Sequence, residues 1–265
     1  MLEPLPVVRR PESRASAYAR DLPASTAMAW LEQGWRDFRY MPWPSLVYGV
    51  FLMLTSYVVL WALYSTDLLY LSLPAISGFL IVGPFLAIGL YEKSYRRALG
   101  KQITLSDVLI LRPASGSQLA YAGLLLGLLV LFWLRSADLL YALFFGLHPF
   151  PGAADALINA FTTPRGWALV ITGTFVGSIF ASFAFAVSVF AVPMLVSSKT
   201  DALTAMGLSF VMTAQNLKPM LSWGAIVASG LVLSVLTGFV GLVVIFPILG
   251  HGTWHAYREI AKDPS

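Results

Sequence analysis

Residues 221–250 read LSWGAIVASGLVLSVLTGFVGLVVIFPILG, a run with no Asp, Glu, Lys or Arg in it. A helix needs about 20 apolar residues to cross the hydrocarbon core of a bilayer. This run is long for one crossing and short for two, so it reads either as one tilted helix or as two short ones. Thr237-Gly238 falls near its middle, where a tight hairpin can form. The same reading extends outward along the chain. Residues 46–64 and 121–134 are also free of formal charge, and 58% of the chain is hydrophobic while only 11% is charged. A soluble domain carries about 25% charged residues, so the expected solvent for this surface is lipid.

The chain therefore reads as an all-α membrane protein, a bundle of six transmembrane helices at about 45–64, 74–91, 117–134, 166–195, 221–236 and 239–256 within a single domain, 24–260. Residues 1–23, with four Arg and three Pro, read as a disordered cytoplasmic tail, and 261–265 as a second tail. The N-terminus MLEPLPVVRRPES lacks the apolar core of a cleavable signal, which leaves the first span as the membrane signal. The absence of cysteine excludes disulfides, iron–sulfur clusters and thiolate metal sites. The net charge of +4 does not point to nucleic acid. The basic residues flank apolar spans, where they act as topology signals and contact anionic lipid head groups.

Placement of charge decides between five spans and six. With six spans and the N-terminus inside, every basic residue except Arg135 and Arg165 is cytoplasmic, as the positive-inside rule requires. Five spans would put Arg258 and Lys262 outside. Both termini are thus expected in the cytoplasm of a bacterium, on the inner face of its inner membrane. An internal repeat agrees with six. Thr26-Ala27-Met28 and Thr204-Ala205-Met206 each precede a proline, Pro42 or Pro219, and then an apolar hairpin. Pro84 and Pro247 are each followed five residues on by glycine and seven on by an aromatic residue. Residues 104–113 and Pro193 echo the pattern more weakly. Three units follow, each an amphipathic cytoplasmic helix and a helical hairpin. Pro84, Pro193 and Pro247 are expected to break or kink the second helix of each hairpin.

In 25–41 the apolar residues Met28, Leu31, Trp35 and Phe38 recur at helical spacing, and Leu203, Met206, Phe210 and Leu217 repeat the pattern. Such helices lie in the membrane plane, with Trp30, Trp35, Trp43 and, at the other end of the chain, Trp254 expected at the interface. The external connection 135–165 holds two apolar pieces, 139–147 and 153–161, too short to span and expected on the outer surface. Small residues at four-residue spacing, Gly123/Gly127, Gly173/Gly177 and Ser234/Gly238, predict close helix packing or a face for a partner helix.

Chemistry is harder to find. The expected spans contain no ionisable residue at mid-depth, whereas ion-coupled carriers usually place one there. His251 and His255 stand i,i+4 on the last helix and could share one face, as ligands for a metal or haem. Zinc normally takes at least three protein ligands. His148 lies on the opposite side, and only Glu92, Tyr91 or Tyr257 stand near enough to add a third. The structural alternative makes the pair interfacial side chains beside Trp254 and Tyr257. Gly250-His251-Gly252 is too short and isolated to mean phosphate binding, and no nucleotide loop, nucleophile elbow or carboxylate pair is visible.

Tyr-Met-Pro-Trp-Pro-Ser-Leu-Val-Tyr-Gly (40–49), Gly83-Pro84 leading to Gly-Leu-Tyr-Glu-Lys-Ser (89–94), and Ile-Phe-Pro-Ile-Leu-Gly-His-Gly-Thr-Trp-His-Ala-Tyr-Arg (245–258) resemble the bacterial integral-membrane family catalogued as domain of unknown function 2189, over about residues 25–260. The resemblance implies six inner-membrane helices and little about activity. Some members carry cytochrome c oxidase labels, but an oxidase core needs several intrahelical histidines that this chain lacks. The expectation is a non-catalytic accessory, assembly or scaffolding subunit of a membrane complex, a respiratory one included, with no cofactor. It would be partnered by lipid and by another membrane protein or a second copy, and by no nucleic acid. The alternatives are a transporter or channel for an uncharged or apolar solute, and a haem- or metal-binding protein using His251 and His255.

Overall fold

A computed structural model describes residues 18–109, 113–146 and 152–261. They form helices throughout: α1 (Thr26–Arg39), α2 (Pro42–Ser65), α3 (Ser72–Leu86), α4 (Ile88–Ala98), α5 (Leu105–Leu109), α6 (Gly116–Phe145), α7 (Ala153–Thr162), α8 (Pro164–Ser188), α9 (Ala191–Ser197), α10 (Ala202–Gln215), α11 (Leu217–Leu236) and α12 (Leu242–Ile260). Among the described residues, five stretches are long and apolar enough to cross a membrane: 42–65, 72–98, 116–145, 164–197 and 217–236. Their outward faces carry bare hydrocarbon, with Phe51, Trp61, Leu128, Phe175 and Leu221 among the exposed large side chains. Water would penalise such a surface at about 25 cal/mol per Å².

The run 221–250 is two helices. α11 ends at Leu236, Gly238 turns the chain with φ +60° and Phe239 follows at φ +67°. The Tyr57 hydroxyl donates to the Gly238 carbonyl and its ring meets Phe239 edge-on. α12 then returns antiparallel to α11, with Ser234 beside Gly241, Gly230 beside Ile245 and Leu249, and Trp223 beside Gly252 and Thr253. α12 is only 19 residues long and carries His251, His255, Arg258 and Glu259, so it is less apolar than the other five stretches.

Proline shapes three of the rods differently. Pro193 cannot donate to the Val189 carbonyl one turn earlier, and the helix breaks there, between α8 and α9. A side chain from elsewhere closes the break: the buried Ser209 hydroxyl on α10 accepts from the Phe190 N–H at 3.1 Å and donates to the Ala186 carbonyl at 2.8 Å. Pro84 sits in the last turn of α3, and the α3/α4 junction follows it at Ala87. Pro247 is carried inside α12 without a break, because it stands near the helix start, where few preceding carbonyls need its missing donor.

Several placements differ from the sequence reading. α6 is one helix of 30 residues, about 45 Å long, so 139–145 continues the span and does not lie on the surface. Of the tail assigned to 1–23, residues 1–17 lie outside the described residues, as do His148, Pro149–Pro151, Arg112 and residues 262–265. Residues 18–23 are held in place: Asn216 donates to the Tyr18 carbonyl and accepts from the Arg20 N–H, and the Arg20 side chain donates to the Ile260 carbonyl. Trp30 and Trp254 are buried in the bundle, while Trp35 and Trp43 are exposed. The reason is local. Trp30 lies on the α1 face with Ala27, Gly34, Asp37 and Phe38 that packs on α12 and α11, edge-on to Trp223 at 6.0 Å and donating to Glu259.

The tightest approaches involve other glycines than those read from four-residue spacing. A β-carbon on Gly34 would lie 2.3 Å from the Ile248 carbonyl oxygen and 2.7 Å from the Gly252 nitrogen; one on Gly49 would lie 2.4 Å from the Val243 carbonyl oxygen. Backbone meets backbone at both crossings of α12. Gly123 meets the Phe85 ring and Gly177 the Trp133 ring, whereas Gly127 and Gly173 face open space. Gly34→Leu is therefore expected to cost at least about 3 kcal/mol and to abolish most of the monodisperse protein in detergent. Gly173→Leu should leave melting within about 0.5 kcal/mol of the parent. Size-exclusion profiles after stepwise heating measure both.

Candidate functional site: a buried ionic network

Two glycines flank His251. Because Gly250 and Gly252 present no side chain, α4 closes on one side of this histidine and α1 on the other: Leu90 lies against Gly250, and the Trp30 carbonyl lies against Gly252. His251 is 0% exposed. Four elements, α1, α2, α4 and α12, thus place polar side chains around one point near the inner ends of the helices.

The hydrogen bonds form one connected set. Lys93, 1% exposed, donates to the Asp37 carbonyl at 3.1 Å, the Met41 carbonyl at 2.9 Å and the Ser45 hydroxyl at 2.7 Å. Met41 has the left-handed backbone φ of 54°, and this bend between α1 and α2 turns its carbonyl toward the ammonium. Ser45 is 3.0 Å from His251 Nε2, and Ser94 is 2.8 Å from His251 Nδ1. Ser94 donates to Asp37 Oδ2, which also lies 3.0 Å from His255 Nε2, while Arg97 pairs with Asp37 Oδ1 at 2.6 Å. Arg97 also donates to the Arg36 carbonyl and lies over the Tyr40 ring.

One assignment of hydrogens satisfies the whole set. The three ammonium protons of Lys93 have three acceptors. Ser45 then donates to His251 Nε2, which leaves the histidine hydrogen on Nδ1, donating to Ser94, whose own proton goes to Asp37. Both carboxylate oxygens of Asp37 and both ring nitrogens of His251 are occupied. Burial pushes the Asp37 carboxyl up, but hydrogen bonds from His255 and Ser94 outweigh it and hold the group below the ordinary value of 3.8.

The structure separates residues that the sequence suggested might converge. His251 and His255 share no partner. Glu92 pairs with Arg96 at 2.7 Å, and Arg96 continues to Asp107 on α5 at 3.0 Å. Tyr257 stacks near Trp254 and Phe190. Neither histidine is an interfacial side chain at the membrane surface: one is buried, and the other is bound to Asp37. No group of three or more His, Cys, Asp or Glu among the described residues is arranged to hold a metal ion. Asp37, Lys93, Ser45 and Ser94 are the members that sequence reasoning missed, since Asp37 and Lys93 read as interfacial charges and topology signals. The available signal was Gly-His-Gly, whose bare flanks announce a histidine meant to be packed on both sides.

Residues 71–197 match the family described as "Predicted integral membrane protein (DUF2189)", and over that stretch the chain is similar to it. The match includes the Gly83–Ser94 motif and stops short of the two other motifs that carry the resemblance. No curated protein and no solved structure matches the chain.

The Asp37 carboxyl is lower in the folded state than in the unfolded chain. Its contribution to stability is therefore complete above about pH 4 and is lost as pH falls through the depressed folded value. The parent protein in detergent should lose melting temperature on acidification below that point. Asp37→Asn should melt lower at neutral pH, by about 3 kcal/mol for a buried pair broken on one side, with a smaller further change between about pH 5 and 3. Thermal scans across pH read both effects.

Proposed function

We propose that the chain is a non-catalytic inner-membrane protein that crosses the bilayer six times with both ends in the cytoplasm and serves as a scaffolding, accessory or assembly subunit beside another membrane protein. The observation that carries this reading is the saturation of the ionic network. Every donor of Lys93, both nitrogens of His251 and both oxygens of Asp37 are spent on groups of the same chain. A ligand, metal or haem iron at this point would have to displace a bond already made. A buried ionised group usually marks function in a membrane protein; here its partners support an architectural one, the locking of cytoplasmic helix α1 onto the spans.

The sixth crossing is supported by register. Ser45, Ser94, Arg97 and His255 meet at one end of the bundle, and Tyr57 meets Gly238 toward the other, so α12 brings the chain back to the side on which α1 sits. The order short helix, long rod, long rod occurs three times, as α1–α2–α3/α4, α5–α6–α8/α9 and α10–α11–α12, which supports the three-unit repeat. Gly127 and Gly173, with open space where a β-carbon would stand, leave room for a partner helix to approach. The basic residues of the cytoplasmic segments face anionic head groups.

A phosphatase fused after Ser265 should be inactive and one inserted in the Pro149–Gly152 loop active; an active C-terminal fusion would reduce the crossings to five and overturn the repeat. Protein purified in mild detergent should show no Soret band and no stoichiometric zinc or copper. A Soret band lost on replacing His251 and His255 with Gln would move the chain into electron-transfer chemistry.

A further inference from the structure

α11 packs on α12, α1 and α10 but makes no extensive contact with α3 or α8. The gap is a cleft of about 580 Å³, counted to its open side, within the range of small-molecule sites. Its mouth lies between Phe79 and Gly83 on one wall and Val227 on the other, and Tyr91, Gly250 and Thr253 close its inner end. From Leu242 to Thr253 it follows about 16 Å of α12, roughly half of the ~30 Å hydrocarbon core. It therefore runs through about one leaflet, from the 237–241 turn down toward the ionic network.

The few polar atoms along it are already used. Ser234 donates to the Gly230 carbonyl at 2.8 Å; Thr253 donates to the Leu249 carbonyl at 2.9 Å and accepts from Trp223. Water in such a space needs two to four polar partners and finds none free. Left empty, the void forfeits dispersion contacts at about 24 cal/mol per Å³. The medium at its open side is hydrocarbon, present at the concentration of a solvent.

From this the geometry points to a binding site for one hydrocarbon chain of a membrane lipid, taken from the leaflet next to the 237–241 turn, with its methyl end toward Tyr91. The site rests only on the chain being an integral membrane protein, and stands or falls independently of the scaffolding role.

The full chain, reconstituted in phosphatidylethanolamine and phosphatidylglycerol vesicles doped with a phosphatidylcholine bearing a mid-chain diazirine, is irradiated and its adducts are mapped by peptide mass spectrometry. Adducts at Phe79, Val227 and Ile245 should saturate near one chain per protein as the probe fraction rises. Those at the exposed Leu128 and Phe175 should rise linearly. A β-carbon on Gly83 meets nothing within 4 Å, so Gly83→Leu can fill the cleft without a clash; it should cut cleft labelling several-fold and leave the exposed positions unchanged. Val227→Trp fills the cleft from the opposite wall and decides the matter should the first variant fold poorly. Cleft labelling that is absent, or that rises linearly and ignores both variants, overturns the site. Protein–protein adducts confined to the cleft overturn it too, by making a second copy the occupant.

Discussion

The carboxylate of Asp37 is the group on which the inner end of this bundle depends. It lies on a helix outside the spans, yet it is bonded to α4 through Ser94 and Arg97 and to α12 through His255. Lys93 answers from the other direction by gathering the carbonyls of residues 37 and 41 with Ser45. Ionised groups taken from water this far are costly unless each is paired and hydrogen-bonded. Here the pairing is complete, and removing any member leaves another buried without its partner. The network therefore specifies one arrangement of four helices more sharply than apolar packing does, since hydrocarbon contacts tolerate sliding and a saturated set of bonds does not.

That arrangement is possible because backbones touch. Gly34 against Gly252, Gly49 against Val243 and Gly250 against Leu90 bring α1, α2 and α4 close enough to α12 for short side chains such as Ser45 and Ser94 to reach a histidine ring. Between helices in lipid there is little hydrophobic drive, and close van der Waals approach with interhelical hydrogen bonds takes its place. The two features are one design: small residues set the distance, and polar side chains then fix the register.

The architecture was legible in the sequence where it follows from length and charge. Apolar runs near 46–64, 121–134 and 221–250 announced membrane helices, and the Thr237-Gly238 pair marked the turn that divides the last run. The network was not legible, because what makes Asp37 and Lys93 buried is contact between elements far apart in the chain. In isolation each reads as an ordinary charge near a membrane surface, and Trp30 as an ordinary interfacial aromatic. Spacing of small residues was an incomplete guide for the same reason. Gly123 and Gly177 meet rings while Gly127 and Gly173 meet nothing, and the glycines of the closest crossings stand alone in their helices.

The clamp of Asn216 on the segment at Tyr18 and Arg20, and of the Ile260 carbonyl on Arg20, bears on the order in which the molecule is made. The partners of the earliest described residues are some 200 positions later in the chain. During synthesis α1 emerges long before α12, and until α12 is inserted the Asp37 carboxylate and the bare face of Gly34 have nothing to close on. Contacts of such separation form late. A translocon must therefore hold five helices in an unlocked state and release them only when the last one arrives. A chain cut short before Leu242 would carry an open ionic site at the membrane surface, the sort of lesion by which quality-control proteases recognise an unfinished membrane protein.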